Sequence, residues 1–380
     1  MRLLHTADWH LGRTLRGVSL LDDQAHVLDQ VFETIVVRKI DVLIIAGDVY
    51  DKASPAEPAV KLYSDFIERV YVETDAAIVV IAGNHDSGQR LGAVTKLFDK
   101  TRILIRGPLE KDEAPLVLED EHGPVAFSAL PYGEIYAARR VFENETIRTP
   151  EDVLRCQIEA ARRQKPDAAR WIIVAHAFVT DCQPSDSERR LAVGTVEMVS
   201  QSIFDGADYV ALGHLHRPQT AGSEVIRYSG SPLAFGFDEA DKSKSMTVFD
   251  LEANGSLANL EQIEFKPLRR VREVRGLLAD LVAQAQASPS QDLICAVLLD
   301  DGALVEPAAQ LRPFYPNILQ TLREKKQNLV ISATGRAQSK LDDPVNVIAE
   351  FINYVRGEKP NEIEQGVVAQ LIDEPIMEAI

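Results

Sequence analysis

The first two thirds of the chain repeat one pattern: a short apolar run of strand length stops at a polar, metal-capable residue, and a loop or amphipathic stretch follows. Five segments show it. Leu3 to Thr6 leads to Asp8 and His10, Asp41 to Ala46 to Asp48, and Ala76 to Ala82 to Asn84 and His85. Trp171 to Ala175 leads to His176, and Tyr209 to Leu212 to His214 and His216. Runs such as DVLIIA and AAIVVIA are apolar at nearly every position, as a strand covered on both faces requires. Between the runs, Asp22 to Lys39, Pro55 to Glu73, Ser87 to Lys100 and Pro150 to Gln164 predict helices, with Ser54 as N-cap and Pro55 at the first helical position of the second. The alternation predicts an α/β layered core.

From Gly222 the texture turns to strands and turns. EVIRYSGSP and KSKSMTVFDLEANGSLANLEQIEF, with a tight hairpin at Asn254-Gly255, predict a second sheet. Beyond Pro267, a basic strand RRVREV, a helix at Leu277 to Ala287, a strand DLICAVLL, a helix at Tyr315 to Lys325 and a strand LVISA predict a small α+β cap. Helical patterns at Val345 to Arg356 and Glu362 to Ile372 close the chain, so the expected division is 1–267, 268–338 and 339–380.

Composition narrows the function. A length of 380 residues suggests two or three domains. The balance of 41 basic against 58 acidic residues, a net charge of -17, argues against coating nucleic acid or an anionic membrane by bulk charge. With no run of about 18 apolar residues and no cleavable leader pattern, no membrane and a cytoplasmic location are expected. Cys156, Cys182 and Cys295 are too scattered for a disulfide framework or a thiolate zinc site.

In layered α/β proteins the carboxyl ends of neighbouring strands converge on one sheet edge. Asp8, His10, Asp48, Asn84, His85, His176, His214 and His216 would meet there, including five of the eight histidines. Imidazoles, carboxylates and a carboxamide without a thiolate suit Mn²⁺, Fe²⁺ or Zn²⁺. Eight groups exceed the need of one ion, whereas two ions about 3.5–4 Å apart would use them and serve in-line displacement at phosphorus. GxSxG and Walker-type motifs are absent, which leaves acyl-enzyme or NTP-driven chemistry without a basis. Asp86 reads as a helix cap, and Asp51 as a turn residue or a partner of a ligand. The basic cluster Lys266, Arg269, Arg270, Arg272 and Arg275 reads either as a phosphate-contacting surface or as a solvated strand face.

The blocks DWH, GDVYD, GNHD, the lone His176 and GHLH resemble the calcineurin-like metallophosphoesterase pattern in order and spacing. More narrowly, DWHLG, GDVYDKASP, GNHDSGQRL, GHLHRPQ and YSGSPLAFGF resemble the SbcD family of bacterial nuclease subunits. The resemblance implies two β-sheets flanked by helices and two divalent metal ions, foremost Mn²⁺. Asp8, His10 and His216 would hold one ion, Asn84, His176 and His214 the other, with Asp48 bridging and His85 protonating or stabilising the leaving oxygen. It also implies DNA as substrate, cut from double-stranded ends and within single strands or hairpins. An SbcC-type SMC-like ATPase would dock on the carboxyl-terminal helices, and a homodimer would form through the helices near 55–73 and 87–100, where Val60, Phe66, Ile67, Val94, Leu97 and Phe98 exceed the need of one core face. Two alternatives stay open: a small-molecule phosphodiesterase acting on cyclic nucleotides, and an inactive scaffold subunit. Phosphoprotein phosphatases of this fold carry GDxVDRG and GNHE, unlike GDVYDKA and GNHD here.

Overall fold

The structure is a computed structural model and describes residues 1–93, 102–112, 114–188, 198–240, 242–324, 348–349, 352, 356–361 and 364–367. The chain divides into two units, 1–323 and 324–380. In the first, the strands Arg2–Thr6, Val42–Ala46, Ala77–Ile81 and Ile103–Arg106 lie side by side and parallel. Ser245–Leu251 and Leu257–Glu264 extend this sheet antiparallel beyond Arg2–Thr6. A second six-stranded sheet runs in the order Gln219–Thr220, Ile226–Tyr228, Tyr209–Gly213, Arg170–His176, Gly123–Leu130, Leu116–Asp120.

Strand alternation explains the unbroken apolar runs. Val42, Ile44 and Ala46 point into the layer between the sheets, among Phe127, Ile172, Val174 and Tyr209. Leu43 and Ile45 point the other way, into a core shared with Val27 and Val31 of helix Leu21–Arg38 and Phe66 and Val70 of helix Glu57–Glu73. The outer face of the second sheet, with Ile173, Ala175, Val210 and Leu212, packs on Leu154, Ile158 and Ala161 of helix Pro150–Gln164. Every central strand is therefore buried on both sides. The result is the layered α/β core that the pattern predicts.

Several expectations are corrected. The segments after Gly222 do not form a sheet of their own: Ile226–Tyr228 joins the sheet of Tyr209–Gly213, and the hairpin through Gly255 joins that of Arg2–Thr6. The strands Ile103–Arg106, Leu116–Asp120 and Gly123–Leu130 were not anticipated. Helix Glu57–Glu73 starts two residues later than expected and lacks a side-chain cap. A start at Pro55 would put Pro58 where the first intrahelical N–H donor is needed, and Pro58 has no N–H, so it fits only in the first turn. Of the segment Ser87 to Lys100, Gly88–Leu91 is helical with Ser87 Oγ accepting from Arg90 N–H, and 94–100 lie outside the described residues.

A three-stranded parallel sheet follows, Val271–Gly276, Leu293–Leu298 and Ile318–Arg323, with crossover helices Leu278–Ala287 and Pro307–Leu311. The helix expected at Tyr315 to Lys325 is thus a strand. Pro316 keeps Tyr315 out of the helical region, and Ile318 pairs with Ile294 instead. Leu281, Ile294, Leu298 and Leu311 form a small core of this sheet, while Val271 and Leu293 belong to the larger core beside helix Leu21–Arg38. In the second unit, Asn361 and Glu364 cap a helical turn reciprocally. The expected strand LVISA and most of the two closing helices lie outside the described residues. Among the described residues no helix is long and apolar enough to cross a membrane.

Candidate metal centre

All eight strand-end residues come together, but not along the edge of one sheet. Asp8, His10, Asp48, Asn84 and His85 follow strands of the first sheet, whereas His176, His214 and His216 come from the second. The centre sits where the two sheets end together. Asp8, His10, Asp48 and His214 have φ of 54°, 45°, 48° and 105°, a region that non-glycine residues rarely occupy. The chain bends sharply as each strand ends, which turns these side chains inward. Two motif glycines permit the crowding: a Cβ on Gly83 would collide with the Asp48 carboxylate, and one on Gly213 with the Ala46 carbonyl.

The loops are pinned to one another. Asp8 N–H donates to Gly47 O at 3.0 Å, and His10 N–H to Asp48 O at 2.9 Å. Gln24 Nε2 holds the Trp9 and His10 carbonyls. Asp86, expected as a helix cap, instead accepts from the N–H groups of Val49, Tyr50 and Gly83, locking the GDVYD loop to the GNHD loop. Burial, with the Asp48 charge nearby, pushes its carboxyl up to about 7.

Two nests share Asp48. In the first, His10 Nε2 faces His216 Nε2 at 3.1 Å, and Asp8 offers a carboxylate oxygen within the same 4.8 Å cluster. In the second, Asn84 Oδ1 lies 2.9 Å from His176 Nε2 and 3.0 Å from His214 Nδ1. Asp48 Oδ2 lies between them, 3.6 Å from His10 Nε2 and 3.5 Å from His176 Nε2. Its other oxygen accepts from His85 N–H at 2.8 Å. One oxygen is therefore fixed by backbone and the other faces both nests.

The donor chemistry asks for cations. His176 Nδ1 donates to Ala46 O at 3.0 Å, so its Nε2 meets the Asn84 and Asp48 oxygens, a meeting that only a proton or a cation at that nitrogen reconciles. At the first nest, Nδ1–H of His216 is bound to Ser187, so its Nε2 lone pair faces His10 Nε2 at 3.1 Å. Asp8 Oδ2 is buried with no hydrogen-bond partner, an arrangement costly without a ligand. Burial lowers His10, His216 and His214, the last to about 3, and so keeps these imidazoles in their ligating, neutral form. Burial would lower His176 too, but Asp48 and then Asp8 outweigh it and raise it to about 9. These residues fit a pair of divalent ions.

Sequence reasoning missed the cage around His216. Its N–H donates to Glu188 at 2.7 Å, its carbonyl accepts from Lys244 Nζ at 2.8 Å, and its Nδ1 donates to Ser187 Oγ at 2.6 Å, which in turn donates to Glu239. Glu239 and Lys244 pair at 2.6 Å, both buried. No spacing marks these residues in the sequence, because they meet only through the fold. Asp51, left open as turn or partner, accepts from His85 Nδ1 through its carbonyl at 2.9 Å and holds Arg13 through its carboxylate at 3.3 Å. The buried His5 bonds Tyr209 Oη and Leu212 O and stands apart from the centre.

A layered α/β scaffold with a paired centre of imidazoles, carboxylates and one carboxamide defines the class: a metal-dependent hydrolase. The family model of the calcineurin-like phosphoesterases matches residues 1–218, and the chain belongs to that family, whose activity is metal-dependent hydrolysis of phosphoesters and whose members typically bind two divalent metals. Among solved structures, the chain is similar to GAP50, the anchor in the inner membrane complex of Plasmodium, at 13% identity over 70% of this chain and 89% of that one, with a TM-score of 0.38.

Proposed function

We propose that the chain is a DNA nuclease subunit of the SbcD type, hydrolysing phosphodiesters at double-stranded ends and within single strands or hairpins, with Mn²⁺ as its metal. The observation that carries the catalytic part is the complete donor set, seven residues in two nests sharing Asp48, with His85 beside it. The nuclease part rests on the resemblance of the DWHLG, GDVYDKASP, GNHDSGQRL and GHLHRPQ blocks.

When bound, a pair of divalent cations draws off the charge of a phosphodiester and eases displacement at phosphorus. Asp8, His10 and His216 would hold one cation, Asn84, His176 and His214 the other, and Asp48 Oδ2 both. His85 would supply the proton as an imidazolium: the Asp51 carbonyl holds Nδ1–H, so the Nε2–H is the one that passes to the departing oxygen and leaves the ring neutral. The edge of its ring meets His10, with centroids 4.7 Å apart, which places it at the first nest.

The same reading assigns an SbcC-type ATPase to the carboxyl-terminal segment and a homodimer to the helices near 55–73 and 87–100. Val60 is exposed on the first of these helices, and Val94, Leu97 and Phe98 lie outside the described residues. The deciding experiment compares Mn²⁺-dependent hydrolysis of linear duplex DNA, hairpin DNA and a cyclic nucleotide by the full chain. Cleavage of both DNAs is expected; hydrolysis of the cyclic nucleotide alone would overturn the nuclease reading, and no hydrolysis by metal-loaded protein would favour a scaffold.

A further inference from the structure

We propose that the cavity beside the second nest is a nucleobase pocket, taking the unstacked base of the nucleotide whose phosphodiester meets the metal centre. The inference rests on the nuclease reading and adds to it a subsite and a constraint on the substrate.

The cavity has a volume of about 360 Å³, within the range of roughly 300–1,000 Å³ usual for small-molecule sites. His176 and His214 belong to one wall, which sets the cavity beside the second nest. The other walls include Tyr132, Ile135 at the start of helix Ile135–Phe142, Val153 of helix Pro150–Gln164, and Phe178 just past His176. The Tyr132 ring stands edge-on to His176 with centroids 6.5 Å apart, and the Phe178 ring lies 6.2 Å from His214. Tyr132 N–H is bonded to Ala82 O at 2.9 Å, which ties this wall to the loop carrying Asn84.

Charge and access select the occupant. Among the described residues no lysine or arginine lines the cavity and its one carboxylate, Glu134, is exposed, so these walls offer a phosphate no partner and suit an uncharged planar group. A diester at the centre has two substituents to place. On the side of the first nest, His10 and His216 lie against the Phe235 ring and the half-buried His85 faces the departing oxygen, whereas His214, 8% exposed, borders the cavity on the side of the second. The nucleoside on the other side of the phosphate therefore has an apolar, aromatic-edged space beside it. Stacking on aromatic rings tolerates any sequence, since every base has a π face. A base can reach the pocket only after leaving the duplex stack, which favours frayed ends, single strands and hairpin loops over intact duplex.

The test uses the full chain with Mn²⁺ and two single-stranded oligonucleotides that differ at the cleaved nucleotide, one with its base and one with an abasic tetrahydrofuran residue. Wild type is expected to cleave the abasic site about tenfold less efficiently in kcat/KM, the scale of one lost base–aromatic stack. Phe178→Ala and Tyr132→Ala should bring that ratio towards one, while Tyr132→Phe keeps it. Variants that lose activity on both substrates at an unchanged ratio would be merely damaged, and that outcome overturns the assignment. In EDTA, a 2-aminopurine oligonucleotide should lose fluorescence on binding wild type and not on binding Phe178→Ala; equal quenching by both overturns it as well. DNA cleavage with a wild-type ratio of one rejects the pocket and leaves the nuclease reading standing. Failure to cleave either oligonucleotide, with hydrolysis of a simple phosphodiester retained, rejects both.

Discussion

The strand-end centre and the basic stretch at 266–275 are both crowded with ionisable side chains, and they resolve the crowding in opposite ways. In the basic stretch, Arg269 pairs with the buried Asp23, and Arg270 and Arg272 pair with Asp292 at 3.7 and 3.0 Å. Lys266 is held by its backbone, which exchanges hydrogen bonds with Gln30. Arg269, Arg270 and Arg272 thus stand beside carboxylates of the fold and help to fasten the three-stranded sheet, as the structural reading of this stretch expects. At the centre the protein supplies no such partner: imidazole nitrogens face one another and carboxylate oxygens, and Asp8 Oδ2 faces nothing. Charge satisfied from within marks structure, and charge left unsatisfied at high structural cost marks a ligand.

The largest test of that contrast is Asp48→Ala. Asp48 Oδ2 lies 3.6 Å from His10 Nε2 and 3.5 Å from His176 Nε2, so loss of this carboxylate should reduce hydrolysis to background and lower the bound metal below two equivalents, as measured by elemental analysis. Full metal content with normal turnover would dissolve the two-nest arrangement. Next in size, His85→Ala should slow turnover by about 10²–10⁴ while metal content stays at the wild-type level, because its ring acts by proton transfer. Loss of metal along with activity would instead make His85 a ligand.

The site was more legible in the sequence than its supports were. Strands covered on both faces announce themselves as unbroken apolar runs, and their ends carry glycine beside Asp, Asn or His because the bend and the crowding leave few other choices. Leu116–Asp120 gave no such sign: it is an edge strand whose positions alternate in exposure and include charged residues, a pattern shared with loops. Glu188, Glu239 and Lys244 were silent for another reason. A lone buried acid or lysine has no periodicity, and only the approach of distant segments turns it into a partner of His216. The supposed second sheet failed because strand pairing is decided by neighbours in space, and the segments on either side of residue 240 choose different sheets.

Those silent residues give the third prediction. Ser187 relays the Glu239 charge to His216 Nδ1 and so sets which ring nitrogen faces the first nest. Glu239→Gln should weaken the affinity of one of the two ions by about 10–100-fold, the usual effect of removing a carboxylate behind a histidine ligand, and leave the other ion unchanged. Calorimetric titration with Mn²⁺ resolves the two steps; equal weakening of both ions would mean that the nests are not separately supported.

The smallest effect belongs to the satisfied side of the comparison. Burial alone would raise the Asp292 carboxyl, but hydrogen bonds from Arg270 N–H and the Arg272 guanidinium outweigh it and hold the group below its ordinary value. A carboxyl depressed in the folded state adds stability above its unfolded pKa of about 3.9, and that stability is lost as pH falls through the lower folded value. Asp292→Asn should therefore cost about 1 kcal/mol at pH 7, the net worth of a charge-assisted hydrogen bond screened by solvent, and the difference from wild type should shrink on acidification. Urea midpoints measured from pH 7 downward read the gap, and metal content and turnover should not change. If the variant were as stable as wild type at pH 7 but bound duplex DNA differently, the arginines at 270 and 272 would be engaged by phosphate rather than by Asp292, and the line drawn here between the two regions would have to move.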